Sequence, residues 1–173
     1  MSNIDLGHLK YIYCTSIYGL IKENTILYDD QKILKENFFN CKLYRIICWS
    51  EKNGRLLGLE IFYRDRITSK IVKTIDIKIE NNYDLEEQEI ILDSKEMVDK
   101  IILWKDEELT GFEIKTNKDR EQKFGHCGEG TKIELEEFNG NNYLCGFFIG
   151  FNELDGIITM GFYYINKRDF YLF

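Results

Sequence analysis

The residues best equipped for chemistry stand together in Phe124-Gly125-His126-Cys127-Gly128-Glu129-Gly130. A thiol beside an imidazole suggests a nucleophile and its base, which requires the base within hydrogen-bond reach of the sulfur. Neighbouring residues of an extended strand point to opposite faces, so His126 and Cys127 could meet only in an irregular loop. Gly125, Gly128 and Gly130 miss the spacing of a phosphate-cradling Gly-x-Gly-x-x-Gly turn, and no helical pattern follows them. The other histidine is His8. The five cysteines, Cys14, Cys41, Cys48, Cys127 and Cys145, form no Cys-x-x-Cys pair, and their odd number reads as reduced thiols rather than a disulfide framework or a zinc site. No catalytic residue, metal or cofactor is expected from these patterns.

Charge and composition narrow the classes further. The chain has 173 residues with 23 Lys plus Arg against 30 Asp plus Glu, a net charge of −7, which argues against a protein that tracks nucleic-acid phosphates. Hydrophobic residues make up 44%, enough for one packed core and too much for a disordered segment. No run approaches the roughly 20 apolar residues that span a bilayer. Asp5, His8 and Lys10 interrupt residues 1–20, so nothing there resembles a secretory signal, and an intracellular, cytoplasmic location is expected. Proline is absent, leaving turns to Gly, Asn and Asp, as at Asn53-Gly54 and Asn139-Gly140. Abundant Ile, Lys, Asn, Tyr and Phe point to an AT-rich coding genome, and a eukaryotic cell is the expected setting.

The elements that would position any site come from an internal repeat. Arg45-Ile46-Ile47-Cys48-Trp49 crosses Asn53-Gly54 and returns as Leu57-Gly58-Leu59-Glu60-Ile61. Lys100-Ile101-Ile102-Leu103-Trp104 crosses Asp106-Glu107-Glu108 and returns as Thr110-Gly111-Phe112-Glu113-Ile114. A third, looser copy runs Gly146-Phe147-Phe148-Ile149, Asn152-Glu153 and Gly156-Ile157-Ile158. Each copy is an apolar run of strand length, a polar turn and a second run rich in β-branched and aromatic residues, the pattern of a β-hairpin. Between the first two, Ile71, Lys73, Ile75, Ile77 and Ile79 alternate with Val72, Thr74, Asp76 and Lys78, which predicts a strand with the first set on one face. Residues 85–93 read as another strand, and helical spacing is confined to residues 30–38. The acidic clusters Asp84–Glu89 and Glu134–Glu137 read as solvated edges that discourage sheet-to-sheet pairing. The expected fold class is all-β, with three hairpin-containing sheets.

Specific strings then resemble a known family. Gly111-Phe112-Glu113-Ile114-Lys115-Thr116-Asn117, followed by Phe124-Gly125 and Gly128-Glu129-Gly130-Thr131, is similar to a strand and turn of the jacalin-related lectins. Gly146-Phe147, Leu154-Asp155 and Gly161-Phe162-Tyr163 resemble the closing strands of that family, and Tyr28-Asp29-Asp30 its opening aromatic-Asp-Asp. The resemblance covers roughly residues 18–165. It implies a β-prism of three Greek-key sheets with threefold pseudosymmetry, spanning residues 18–166 between an N-terminal extension, 1–17, and an aromatic tail, 167–173. It also implies metal-free carbohydrate binding in a shallow pocket, built from a Gly-rich opening loop and a Gly-x-x-x-Asp turn, where backbone N–H groups and a carboxylate bind adjacent hydroxyls.

Here that pattern is altered. With Asp155 as the aspartate, the glycine position holds Phe151; with Gly161-Phe162-Tyr163 as anchor, the two positions fall on Ile158 and Leu154. The opening loop keeps Gly19 beside Tyr18. The carbohydrate reading therefore assigns Asp155, Asn152, Glu153, Phe151, Tyr18 and Gly19. Trp49 and Trp104 either stack on sugar or pack against their Ile-Ile runs, and their symmetric placement favours packing. The preferred expectation is a non-catalytic structural or protein-interaction subunit of a larger assembly, cytoskeletal or ciliary, with Phe170, Tyr171, Leu172 and Phe173 meeting a protein partner. A glycan-binding lectin is the alternative, and a homodimer through edge strands is compatible with either.

Overall fold

The computed structural model describes residues 12–35, 40–52, 54–79 and 84–170, with the side chain of Phe170 excepted. His8, Phe38, Asn53, Tyr171, Leu172 and Phe173 lie outside them. The three repeat copies form three long antiparallel hairpins: β4 (Cys41–Glu51) with β5 (Leu56–Asp65), β8 (Val98–Lys105) with β9 (Leu109–Thr116), and β12 (Asn142–Asn152) with β13 (Gly156–Asn166).

Each hairpin is the centre of one sheet. β6 (Ile71–Lys78) and β7 (Leu85–Ile91) flank the first in the order β6-β5-β4-β7. β10 (Glu121–Gly125) and β11 (Thr131–Glu134) flank the second in the order β10-β9-β8-β11. Both are Greek keys, in which the fourth strand returns beside the first. The third sheet is completed by the start of the chain. β1 (Ile12–Cys14) and β2 (Tyr18–Gly19) line the free edge of β13, and β3 (Ile26–Asp29) pairs with β12. Residues 12–14 of the expected extension are thus a strand of the prism itself. Outside the sheets lie α1 (Asp30–Leu34), a 3-10 turn at Glu136–Phe138, and α2 (Lys167–Phe170), which takes up the start of the aromatic tail.

The threefold repeat extends to the irregularities. In every hairpin the first strand carries an unpaired residue at its start (Tyr44, Asp99, Cys145), and the second carries one near the turn (Leu57, Thr110, Ile158). Such bulges turn the strand and sharpen its twist. Between them two cross-strand pairs face inward in each sheet: Ile46–Ile61 and Cys48–Leu59, Ile101–Ile114 and Leu103–Phe112, Phe147–Phe162 and Ile149–Met160. All of these side chains have 0% exposure. Each buried Ile, Leu, Phe or Met contributes about 1.5–3 kcal/mol, so these pairs dominate the stabilisation of the prism axis.

On the outer face the repeat tryptophans lie opposite glycines, Trp49 across from Gly58 and Trp104 across from Gly111. A Cβ on Gly58 would come within 3.0 Å of the Trp49 ring, which explains why this position has no side chain. Trp49 is buried, donates to Glu87 Oε2 at 3.0 Å, and holds Lys78 Nζ 4.2 Å from its ring centre. It packs, as expected, but against the outside of its own sheet rather than within the core.

One expectation fails in β6. Ile75, Ile77 and Ile79 are buried, but Ile71 is 47% exposed and Lys73 pairs with Glu60 and Asp76. Thr74 is unpaired between Ile61–Ile75 and Phe62–Lys73, and that extra residue reverses the alternation, so Val72 packs on the core instead.

The opening Tyr28-Asp29-Asp30 locks the sheets together. Asp29 caps α1 by accepting from the N–H groups of Gln31 and Lys32, and accepts from the Tyr163 hydroxyl at 3.1 Å. Asp30 is fully buried; Oδ2 accepts from the Tyr63 hydroxyl of β5 and, at 2.8 Å, from the Phe147 N–H of β12. Burial pushes its carboxyl from 3.8 up to about 6, against the pull of these hydrogen bonds. A carboxyl whose folded pKa exceeds its unfolded value contributes stability at low pH that is lost as pH rises through the folded pKa. Asp30→Asn should therefore gain on the unsubstituted protein as pH goes from about 4 to about 7, by up to about 3 kcal/mol. Urea unfolding across that range checks it, with parallel profiles as the contrary result.

Candidate functional site

The three hairpins carry their bulges at matching places, and contacts between their turns put all three at one end of the prism. Arg55, at the first turn, donates from Nη1 to the Leu154 carbonyl at the third, 3.0 Å away. The segment between β2 and β3, residues 20–25, crosses this end on its way from the edge of β13 to the edge of β12.

Two short-range devices set that crossing. Thr25 closes a tight turn, its hydroxyl accepting from Lys22 N–H at 3.0 Å and donating to Lys22 C=O at 2.7 Å. Gly19 lies so close to β13 that a Cβ there would stand 2.0 Å from the Ile158 carbonyl oxygen. The turn thus presents Lys22 to two acids from different hairpins. Its ammonium contacts Asp155 Oδ2 at 3.1 Å and, more closely, Glu108 Oε1. These hydrogen bonds, Glu108 first, raise the Lys22 pKa. All three side chains remain about one-third exposed.

The six residues assigned to a carbohydrate site are divided by the structure. Asp155 stands on the turn between β12 and β13, while Ile158 is buried within β13, so the register that favours Asp155 is the one that puts a carboxylate at the surface. Tyr18 and Gly19 line a crevice between β2 and the β8–β9 hairpin, with Leu20, Leu109 and Glu108 among its other walls. Glu153 is exposed on the turn that carries Asp155. Asn152 is buried and committed to structure: Nδ2 donates to the Glu23 carbonyl at 3.2 Å and Oδ1 accepts from the Leu154 N–H at 2.8 Å. Phe151 is a correction. Its side chain is packed in the core at 7% exposure and forms no part of a surface site. It also does not fill the ground beside Asp155, because Lys22 does.

Lys22 and Glu108 are the site residues that the sequence reading missed. Glu108 was reachable, since its turn is the repeat-equivalent of the Asp155 turn. Lys22 carries no local signal; only the crossing of residues 20–25 brings it there.

The crevice encloses about 80 Å³, well short of the roughly 300–1,000 Å³ of an enveloping ligand pocket. Any ligand here would lie across the surface, with Leu20, Ile21 and Leu154, exposed by 54%, 64% and 82%, around it. A wider cleft of about 880 Å³ lies toward the other end of the strands, where Asp99–Lys167, Lys100–Glu134 and Lys115–Glu121 pair among its wall residues.

The His126–Cys127 pair does not assemble a nucleophile. Cys127 Sγ contacts the carbonyl oxygens of Phe112 and Phe124 at 3.5 Å each, and burial raises its pKa to about 11. His126 Nε2 faces Glu129 at 3.5 Å instead. All five cysteines are free thiols. Among the described residues no cluster of three or more His, Cys, Asp or Glu could hold a metal, and no helix is long and apolar enough to cross a membrane.

Solved structures share this architecture across nearly the whole chain. Artocarpin complexed with methyl-α-mannose matches with a TM-score of 0.68 at 16% identity, covering 90% of this chain and 99% of that one. The fold is that of the jacalin-related lectins. A mannose-specific jacalin-related lectin from Morus nigra, in complex with mannose, gives 0.67 at 14% identity over 90% and 96% of the two chains. Calystegia sepium agglutinin gives 0.63 at 14% over 90% and 97%. No family model and no curated protein matches the sequence. The jacalin-like prism explains the family string at Thr116-Asn117 as scaffold. Thr116 donates to the buried Glu96 at 2.8 Å, and Asn117 bridges the Lys95 carbonyl and the Met97 N–H.

The last turn depends on Gly156, whose φ is +84° and whose Cβ would fall 2.2 Å from the Leu56 carbonyl oxygen. Gly156→Ala should destabilise the prism by more than about 1 kcal/mol. Equilibrium urea unfolding tests this; an unchanged midpoint contradicts the contact.

Proposed function

We propose that this jacalin-like prism binds carbohydrate at the end where the three hairpin turns meet, with Asp155 as the central acceptor. The observation that carries the reading is the Asp155 carboxylate, about one-third exposed on a hairpin turn and linked through Lys22 to both the opening segment and the β8–β9 turn. An ionised carboxylate accepts from two adjacent hydroxyls at once, which suits a sugar diol. Leu20 and Tyr18 supply apolar surface for the C–H face of a ring. The fold shared with mannose-complexed lectins supports the reading, and the shallow crevice fits the terminal residue of a glycan rather than an engulfed ligand.

The structural-subunit role is the weaker reading. Its proposed contact surface begins at Phe170, which closes α2, and continues through Tyr171, Leu172 and Phe173 outside the described residues.

A glycan array probed with the purified chain and with Asp155→Ala tests the proposal. Specific binding should appear and fall by at least about tenfold in the variant, as expected for losing a charge-assisted acceptor, with the far-ultraviolet circular dichroism unchanged. Absence of binding, or binding indifferent to Asp155, overturns it.

A further inference from the structure

Lys22 already occupies the ground on which a glycan would sit. Asp155 and Glu108 belong to different hairpins, yet both turn toward one ammonium supplied by the crossing segment. Around them the exposed side chains lean acidic: Glu23, Asp106, Glu107 and Glu153 against Lys52 and Lys105, while Arg55 of the first turn is paired with Glu51. Displacing Lys22 with a neutral sugar would leave two carboxylates facing each other inside an acidic rim, without their cation. Displacing it with a ligand that brings its own ammonium leaves the charge arrangement intact, and the Lys22 head, already about one-third exposed, returns to water. Rejection of the neutral ligand is thus built from the repulsion that its binding would uncover.

We infer that Lys22 is the specificity-determining residue of this site, an internal stand-in for the ammonium of an amino sugar, and that the glycan class selected carries an unacetylated amine. This rests on the carbohydrate reading above and deepens it. The amine would take the place of Lys22 Nζ between Asp155 and Glu108. The ring would lie over the crevice walled by Tyr18, Leu20 and Leu109.

Titration calorimetry at about pH 6, where an amine of ordinary basicity is protonated, tests the inference with three probes. These are a short glucosamine oligomer, its fully N-acetylated counterpart and a mannose oligosaccharide, with a lysine peptide of equal charge as control. The glucosamine oligomer should bind at least about tenfold more tightly than either other sugar, a margin set by one charge-assisted contact. Lys22→Ala should tighten that binding several-fold, and Glu108→Gln should abolish the preference; Lys22→Gln and circular dichroism guard against misfolding of the alanine variant. Asp155-dependent binding that is equal for amine and acetylated forms overturns the inference and leaves the sugar site standing. Equal binding of the lysine peptide also overturns it, as general charge attraction. No binding of any sugar by the unsubstituted chain or by Lys22→Ala overturns both.

Discussion

Three sheets can close around one axis only if each delivers side chains to the same levels, and that requirement governs this molecule. Ile46–Ile61, Ile101–Ile114 and Phe147–Phe162 form one level, and Cys48–Leu59, Leu103–Phe112 and Ile149–Met160 the next. The volumes are unequal from sheet to sheet, with Phe and Met in the third where the first has Ile and Leu. Symmetry of position is therefore kept while symmetry of composition is relaxed, as close packing of a shared core allows. Bulges at matching places in all three hairpins keep the registers aligned, and the turns then have no choice but to gather at one end. The candidate site is a by-product of that alignment.

Within this frame, polar groups act as cross-links between segments far apart in sequence. Asp30 joins the opening segment to β5 and β12; Glu96 gathers Thr116, Arg120 and the Asp93 N–H; Lys22 joins two hairpin turns. The first two are buried acids held by donors, on Oδ2 for Asp30 and on both oxygens for Glu96, where removing a partner leaves a costly unpaired group. The third is open to solvent, so its two ion pairs are screened and exchangeable. That contrast separates bonds that hold the prism from a bond that a ligand could replace.

The fold was legible because its signals are local and repeated. Trp49 and Trp104 with their facing glycines mark the same point of two hairpins, and β-branched runs on either side give the strands. The reading of β6 failed at Thr74 because one unpaired residue reverses a face without altering the sequence pattern. Asp155 could be picked out by its turn. Phe151 could not be excluded, since whether a residue beside a turn faces inward depends on the bulge opposite it. Lys22 was illegible for a different reason: its partners lie 86 and 133 residues away, and no spacing rule reaches that far.

The third sheet draws its strands from both ends of the described chain, Ile12–Asp29 and Asn142–Asn166. The first two sheets are each built from a continuous stretch, so their pairings close short loops. The third has to bridge more than a hundred intervening residues, an entropic demand that slows such contacts relative to local ones. During synthesis the opening segment must therefore wait, its apolar residues unpaired, until the last hairpin emerges. The turn that would hold a ligand exists only once that final sheet has closed, so arrival of the third hairpin and creation of the site are a single event.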